Sequence, residues 1–322
     1  MPRVVSALES RFGTERERAL GALRSARGRW PWFDHLARSY ERYEEQRGDR
    51  LAAAVAYFGF LSFFPLLALA YALLGYLVGV SEQARHYLVD AVGSVLPGLA
   101  DQVAVEQIAQ AKATAGVIGL VGLLITGLAW VDALRESLRE IWLNDPTGGG
   151  NLLVRKLLDA GVLVFLGVVL ILSVAVSTVT TSATYAVLDA VGLDGTPGLG
   201  TLLRLLALAV GIMFDTLIFL VLFARLSGTR APWRRLLRGA LFGAVGFETL
   251  KLIATFLIGH TLHNPVYASF AVVAGLLVWI NVVSRFSLFA AAWTSTRRVI
   301  LNADRPPAEA AVKTPAETDP AL

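Results

Sequence analysis

Apolar residues along this chain gather into six long runs, beginning near residues 51, 115, 157, 201, 236 and 268. Each run has the roughly 20 residues a helix needs to cross a hydrocarbon core. A backbone in lipid must satisfy its own hydrogen bonds, so runs of this length predict helices and not lone strands. The pattern therefore predicts an all-α, polytopic membrane protein. Its expected spans are about 51–80, 116–136, 157–186, 201–223, 236–258 and 268–295.

The polar positions between the runs predict a topology. Eleven arginines fall in the first fifty residues, whereas the stretch after the first span holds only Arg85 and Lys112. Arg135, Arg139, Arg155 and Lys156 follow the second span, and the loop between the third and fourth has no Lys or Arg. Arg225, Arg230, Arg234, Arg235 and Arg238 follow the fourth span, the next loop has none, and Arg297, Arg298, Arg305 and Lys313 close the chain. Cytoplasmic loops carry the excess of Lys and Arg, so six spans with both termini inside satisfy every loop. The first apolar run lies too deep and is too long for a signal peptide.

Shorter patterns fill in the rest. Phe33, Leu36, Tyr40 and Tyr43 recur at helical spacing after Trp30-Pro31-Trp32, while Asp34, Arg38, Glu41 and Arg42 take other faces. Two placements suit this helix. It can lie in the inner leaflet's surface, with Trp30, Trp32, Phe33, Arg38 and Arg42 meeting anionic headgroups, or pack under the bundle. Residues 81–114 read as two short amphipathic helices capping the outer mouth, the second around Val103, Ile108 and Ala111. Pro65 should kink span one and permit a local opening. Gly239, Gly243 and Gly246 give span five a close-packing face. The chain divides into a basic arm (1–50), a membrane domain (51–298) and a disordered tail (299–322) rich in Pro, Ala, Thr and acidic residues.

Composition agrees: the hydrophobic fraction is 55% and the charged fraction 17%, too few polar residues to cover soluble domains. The absence of cysteine excludes disulfides and thiolate chemistry. No nucleotide loop, metalloprotease motif or nucleophile elbow is present, so neither enzyme activity nor a cofactor is expected. The arginine-rich arm meets anionic lipid before nucleic acid.

The candidate chemistry lies in ionisable residues placed inside spans. Asp215, Glu248, Lys251, Asn281 and Arg285 are expected around an interior polar cavity able to handle a charged headgroup, ion or proton. Asp215 and Arg285 fall at similar depth and suggest a pair, and Glu248 and Lys251 lie three apart on one helix face. The same residues also suit a plainer role, as buried pairs fixing helix register. The hydroxyl-rich stretch Ser173–Thr184 either bonds back to its own helix or lines a wet cavity. His260 and His263 lack a third ligand nearby, so no metal site is expected. Asp132, Arg135, Glu136 and Arg139 read as a solvated helix end.

Three blocks carry a family resemblance. They are Asp49 to Ala54 with Tyr57 and Ser62-Phe63-Phe64-Pro65; Trp130 to Trp142 with Asn144; and Asn264 to Phe270 leading to Leu277-Val278-Trp279-Ile280-Asn281. In this order they resemble the YihY/BrkB membrane proteins, from about residue 30 to 298. Where that family commonly ends its last span in a Gly-Ala-Glu-like stretch, this chain reads Ala290-Ala291-Ala292. The resemblance implies a multi-pass protein of the bacterial plasma (inner) membrane, linked to envelope integrity, resistance to host killing or lipid transport. Expected partners are membrane lipids and anionic phospholipid headgroups, with a second copy or envelope proteins also possible. The reading is a transporter or flippase of a lipid or amphipathic anion, with Lys251 and Arg285 drawing the headgroup. A non-transporting envelope scaffold and an ion- or proton-coupled carrier are the alternatives.

Overall fold

The chain enters its first long helix through a proline. Trp30 is extended (φ −125°, ψ 103°), and Pro31 follows at the first helical position, where its missing N–H costs nothing. The resulting α1 (Pro31–Glu45) ends beside Arg47, which turns through the left-handed region (φ 52°). Gly48 then opens α2 (Gly48–Val80) against the Tyr43 ring, where any Cβ would collide. The computed structural model describes residues 27–80, 105–146, 151, 153–169, 171–172, 199–261 and 268–297. Among these, the regular elements are helices.

Five more helices follow: α3 (Val105–Ile141), α4 (153–169), α5 (Leu199–Val221), α6 (Trp233–Thr261) and α7 (Ala268–Ser295). A π-turn, Leu222–Leu226, continues α5. α3 corrects one expectation. Residues 105–114, assigned to an outer cap, are the first turns of a 37-residue helix continuous with the second span. Nothing between Val105 and Ala115 breaks a helix, so propagation is cheaper than a new start. The remainder of the cap, 81–104, lies outside the described residues.

α2 and α3 form the most extensive helix pair. α2 runs through Pro65 as one helix, and the proline marks its closest approach to α3. A Cβ on Gly119 would come within 2.6 Å of the Leu69 nitrogen, and one on Gly122 within 3.0 Å of the Pro65 ring. α7 crosses α2, α6 packs between α5 and α7, and α1 lies across the end of α7. The glycine face of α6 serves that packing: Gly239 meets Thr294, Gly243 meets Phe219 and Gly246 meets Phe286.

Buried side chains concentrate at the arginine-rich end. Leu134, Leu138, Ile141, Trp142, Phe219, Phe223, Leu226, Leu236 and Leu288 form its core. Ala290, Ala291 and Ala292 are fully buried there, in space that would not admit a glutamate. Elsewhere, helices display their leucine, isoleucine and valine outward. Four helices among the described residues are long and apolar enough to cross a membrane: Gly48–Ala70, Ala113–Ile141, Leu205–Leu226 and Val273–Ser295. Only 17–22% of each is buried inside the protein, so most of their apolar surface must find hydrocarbon.

α1 packs under the bundle, against the end of α7. His35 Nε2 lies 2.9 Å from the Trp293 carbonyl, Ser39 Oγ lies 3.1 Å from Thr296 Oγ1, and Tyr43 packs edge-on against Phe289. The opposite face leaves Trp30, Trp32, Leu36 and Tyr40 exposed. Phe33 is half-buried against Trp32, and Arg38 pairs with Asp34 at 3.3 Å. Arg42, half-buried, reaches the end of α3. It donates to the Ile141 carbonyl at 3.3 Å, where the last turn of α3 leaves its acceptors unsatisfied.

Candidate functional site

The last turns of α3 and the first of α4 bring two charged helix faces together, each with arginine and aspartate. Arg135 and Arg139 are four apart on α3, and Arg155 and Asp159 four apart on α4, so each pair projects from one side of its helix. Asn151 sets the start of α4: its Oδ1 accepts the Leu153 N–H at 2.9 Å, as a capping side chain does. Arg135 then lies between Asp132 and Asp159, with Nε 3.2 Å from Asp159 Oδ1, and Lys156 Nζ donates to Asp132 Oδ2 at 2.9 Å. Arg135 is only 5% exposed and Asp159 only 2%, so at Arg135 the solvated helix end expected here is buried, while Glu136 is exposed. The reason is α4: its docking on Gly127 through Leu163 covers a surface that α3 alone would leave wet.

Beside this network opens a cavity of about 800 Å³. Arg135, Arg139, Arg155 and Arg225 line it together with Asp159, and Val154, Leu157, Leu158, Val162, Phe165 and Val221 are its apolar lining among the described residues. Its volume lies within the roughly 300–1,000 Å³ common for small-ligand sites. The π-turn presents Arg225 there: Leu222, Phe223 and Leu226 are buried anchors, while Arg225 itself is exposed. The loop beyond is clasped to α3. Asn144 Nδ2 donates to the Ser227 carbonyl at 2.8 Å, and Arg139 Nε donates to the Asp145 carbonyl at 2.7 Å. Gly228 has φ 74° and lies against the Arg139 guanidinium, so two constraints require glycine. The Trp142 and Asn144 of the second motif block thus build this corner, with Trp142 against Phe223.

A second ionic cluster lies midway along α5. Lys251 Nζ donates to Asp215 Oδ2 at 3.0 Å and to Glu248 Oε1 at 2.8 Å, and rests 4.9 Å above the Phe247 ring. Glu248 lies directly against Gly211, where a Cβ would strike its carboxylate. Three expected site residues are therefore brought together.

The other two are not. Arg285 does not pair with Asp215; its Nε is 3.5 Å from Asp49 Oδ1, at the first turn of α2. α7 continues past that level to Ser295 and is covered there by α1, so counting depth from its end places Arg285 too far inside. Asp49 also accepts the Tyr43 hydroxyl at 2.8 Å. Burial, reinforced by that bond, pushes the Tyr43 phenol well above its ordinary range. Asn281 is half-buried one turn from Arg285, beside Ile280, which meets Gly59. His263, Asn264 and the hydroxyl-rich stretch 173–184 lie outside the described residues. Among the described residues no cluster of three His, Asp or Glu is arranged for a metal.

Sequence reasoning missed the cavity. Asp159 inside an apolar run, with Arg155 one turn before it, was the available signal.

A family model described as Virulence factor BrkB matches residues 39–314 of this chain. The inner membrane protein YhjD of Escherichia coli K12 is 30% identical over 281 residues, covering 83% of this chain and 82% of that protein. An uncharacterized protein of Dickeya dadantii is 30% identical over 277 residues, covering 83% and 84%. A UPF0761 membrane protein of Methylibium petroleiphilum is 29% identical over 263 residues, covering 78% of this chain and 59% of its own length. No solved structure matches the chain.

Proposed function

Because the chain belongs to the BrkB family of membrane proteins, we propose that it resides in the inner membrane and moves a lipid or amphipathic anion between leaflets or across the bilayer. In this reading six spans place both termini in the cytoplasm, and the arginine-lined cavity opens at the level of the inner-leaflet headgroups. One observation carries the proposal: a cavity lined both by guanidinium groups and by leucine, valine and phenylalanine. That lining matches a molecule with an anionic head and an apolar body. Neither Lys251 nor Arg285 is needed for headgroup attraction, since carboxylates face both. Transport, not bond cleavage, is the activity proposed.

A second reading adds coupling. Asp215 and Glu248 share the ammonium of Lys251 within apolar helices, so one carboxylate exceeds the available cation. An uncompensated charge there is costly, and an arriving proton or cation would offset it. This supports an ion- or proton-coupled carrier built on the same bundle. The direct experiment reconstitutes the protein in liposomes and follows transbilayer movement of short-chain fluorescent lipids. Faster movement of an anionic lipid than in protein-free vesicles is expected; equal rates for both vesicle types would leave the scaffold reading in its place.

A further inference from the structure

Asp49 and Arg285 pair on the outside of the bundle. Arg285 Nε stands 3.5 Å from Asp49 Oδ1, yet the two side chains remain 52% and 60% exposed, so the pair keeps an open side. Tyr43 donates to the same Asp49 oxygen at 2.8 Å and holds the carboxylate in place. Asp49 lies in the first turn of one candidate span, Gly48–Ala70, and Arg285 within another, Val273–Ser295. A pair this exposed adds little to stability, so packing gives no reason for an arginine on an apolar helix.

The surrounding surface fixes the level of the pair in the bilayer. Val278, Val282 and Arg285 follow one another at i, i+4 and i+7 and share a face of α7, with both valines exposed. Gly275 extends that face by a turn, and nothing stands within 4 Å of where its Cβ would be. Among the described residues, Val282 is the last exposed large apolar side chain of α7 and Tyr57 the first of α2. The hydrocarbon-facing surface therefore ends at this pair, where headgroups begin. Beyond it, Ala290, Ala291 and Ala292 are buried under α1 and its neighbours.

We propose that Asp49 and Arg285 hold the headgroup of a resident phosphatidylethanolamine, with Arg285 taking the phosphate and Asp49 the ammonium. A cation and an anion side by side complement a zwitterion, and the polarity agrees. Arg285 is three residues past Val282, about 5 Å along α7, whereas Asp49 is eight residues before Tyr57, about 12 Å along α2. The guanidinium thus lies nearer the apolar stripe and the carboxylate farther out. In a phospholipid the phosphate likewise lies nearer the chains and the amine farther out. A guanidinium suits phosphate oxygens, and a primary ammonium brings N–H donors to a carboxylate. The acyl chains then follow Val282, Val278 and Gly275. This site is separate from the arginine-lined cavity, and its lipid is not the transported molecule.

The test is lipid binding to the purified full-length protein, stripped of lipid in detergent. The ligands are short-chain phosphatidylethanolamine and phosphatidylcholine of equal chain length, with soluble phosphoethanolamine as competitor. Phosphatidylethanolamine should bind about fivefold or more tightly, because a trimethylammonium has no N–H to give Asp49. Asp49→Asn should abolish that preference, and Arg285→Gln should weaken both lipids by about fivefold or more. Melting temperatures should stay near wild type. If Asp49→Asn lowers its own through the Tyr43 bond, Arg285→Gln, which leaves that bond intact, carries the test. Equal affinity for the two lipids in the wild type, or unchanged phosphatidylethanolamine binding in Arg285→Gln, overturns the site. Soluble phosphoethanolamine competing as strongly as the lipid overturns the membrane source. Arg225→Ala, in the cavity, should leave phosphatidylethanolamine binding unchanged; loss of binding there would overturn the separation of the two sites. Transport is not read by this measurement, so failure here leaves the cavity proposal standing, and failure of transport leaves this site standing.

Discussion

The cluster around Arg135 and the cluster around Lys251 use the same chemical parts in opposite proportion. Around Arg135, two carboxylates balance one arginine and one lysine, and three further arginines face the adjoining cavity. Around Lys251, two carboxylates share one ammonium. The first stands beside an open, arginine-lined space; the second lies between α5 and α6 with Lys251 partly exposed. From Asp215 to Arg225 the two are separated by ten residues, about 15 Å along α5 and its π-turn. An anion suits one end of that helix segment, and a proton or cation the other. One rigid segment therefore joins two sites of complementary demand, an arrangement that suits a coupled carrier more than a passive scaffold.

Substitutions can take this comparison apart. The largest effect is expected where α2 and α3 pack most closely, at Gly119. Gly119→Val would drive a side chain into the Leu69 backbone where α2 and α3 meet, costing about 3 kcal/mol or more. Both ligand binding and thermal stability in detergent should fall together; retention of either would show that the clusters do not depend on this contact. Next is Asp159→Asn, which leaves Arg135 with Asp132 alone. Stability should drop by about 1–3 kcal/mol while anion affinity rises, because one competitor for the guanidinium is gone. Loss of anion binding in that variant would mean Asp159 orients the site and does not compete with the ligand.

Glu248→Gln should be milder. Lys251 keeps Asp215, the spare negative charge disappears, and stability changes by about 1 kcal/mol or less. Any pH dependence of transport should flatten, and an unchanged pH profile would detach this cluster from coupling. The smallest effect is expected outside the membrane, at His35. Burial lowers its affinity for a proton, with the nearby Arg38 and Arg297 acting in the same sense and the Trp293 carbonyl and Asp34 opposing. Its folded-state value lies below the unfolded one, so the unfolded chain binds the extra proton. The docking of α1 on α7 is then fully stable above about pH 6.5 and weakens as pH falls below it. Hydrogen exchange in residues 31–45 should quicken on acidification, and His35→Gln should remove the response.

Much of this architecture was readable from periodicity. The run expected at 268–295 is the helix Ala268–Ser295, and Trp30-Pro31 begins α1 as anticipated. Glu248 and Lys251 were legible because three-residue spacing needs only one helix. Their partner Asp215 was foreseen inside the apolar run but not matched to Lys251, because the rotation of α5 against α6 is a tertiary property. Arg285 went astray for a related reason: depth counted along one helix ignores the α1 residues that cover its end. The Arg135 network was hidden most completely. Charges four apart at a helix end look the same in sequence whether water or another helix faces them. Only the docking of α4 through Leu163 decides which it is.

The central claim is that the arginine-lined cavity, and not Lys251, receives the transported anion. The direct measurement is transbilayer movement of a short-chain anionic lipid in liposomes, comparing wild type with the Arg225→Ala variant. The account predicts that Arg225→Ala slows this movement by about tenfold at low substrate concentration while its fold is retained. Movement at the wild-type rate would contradict it.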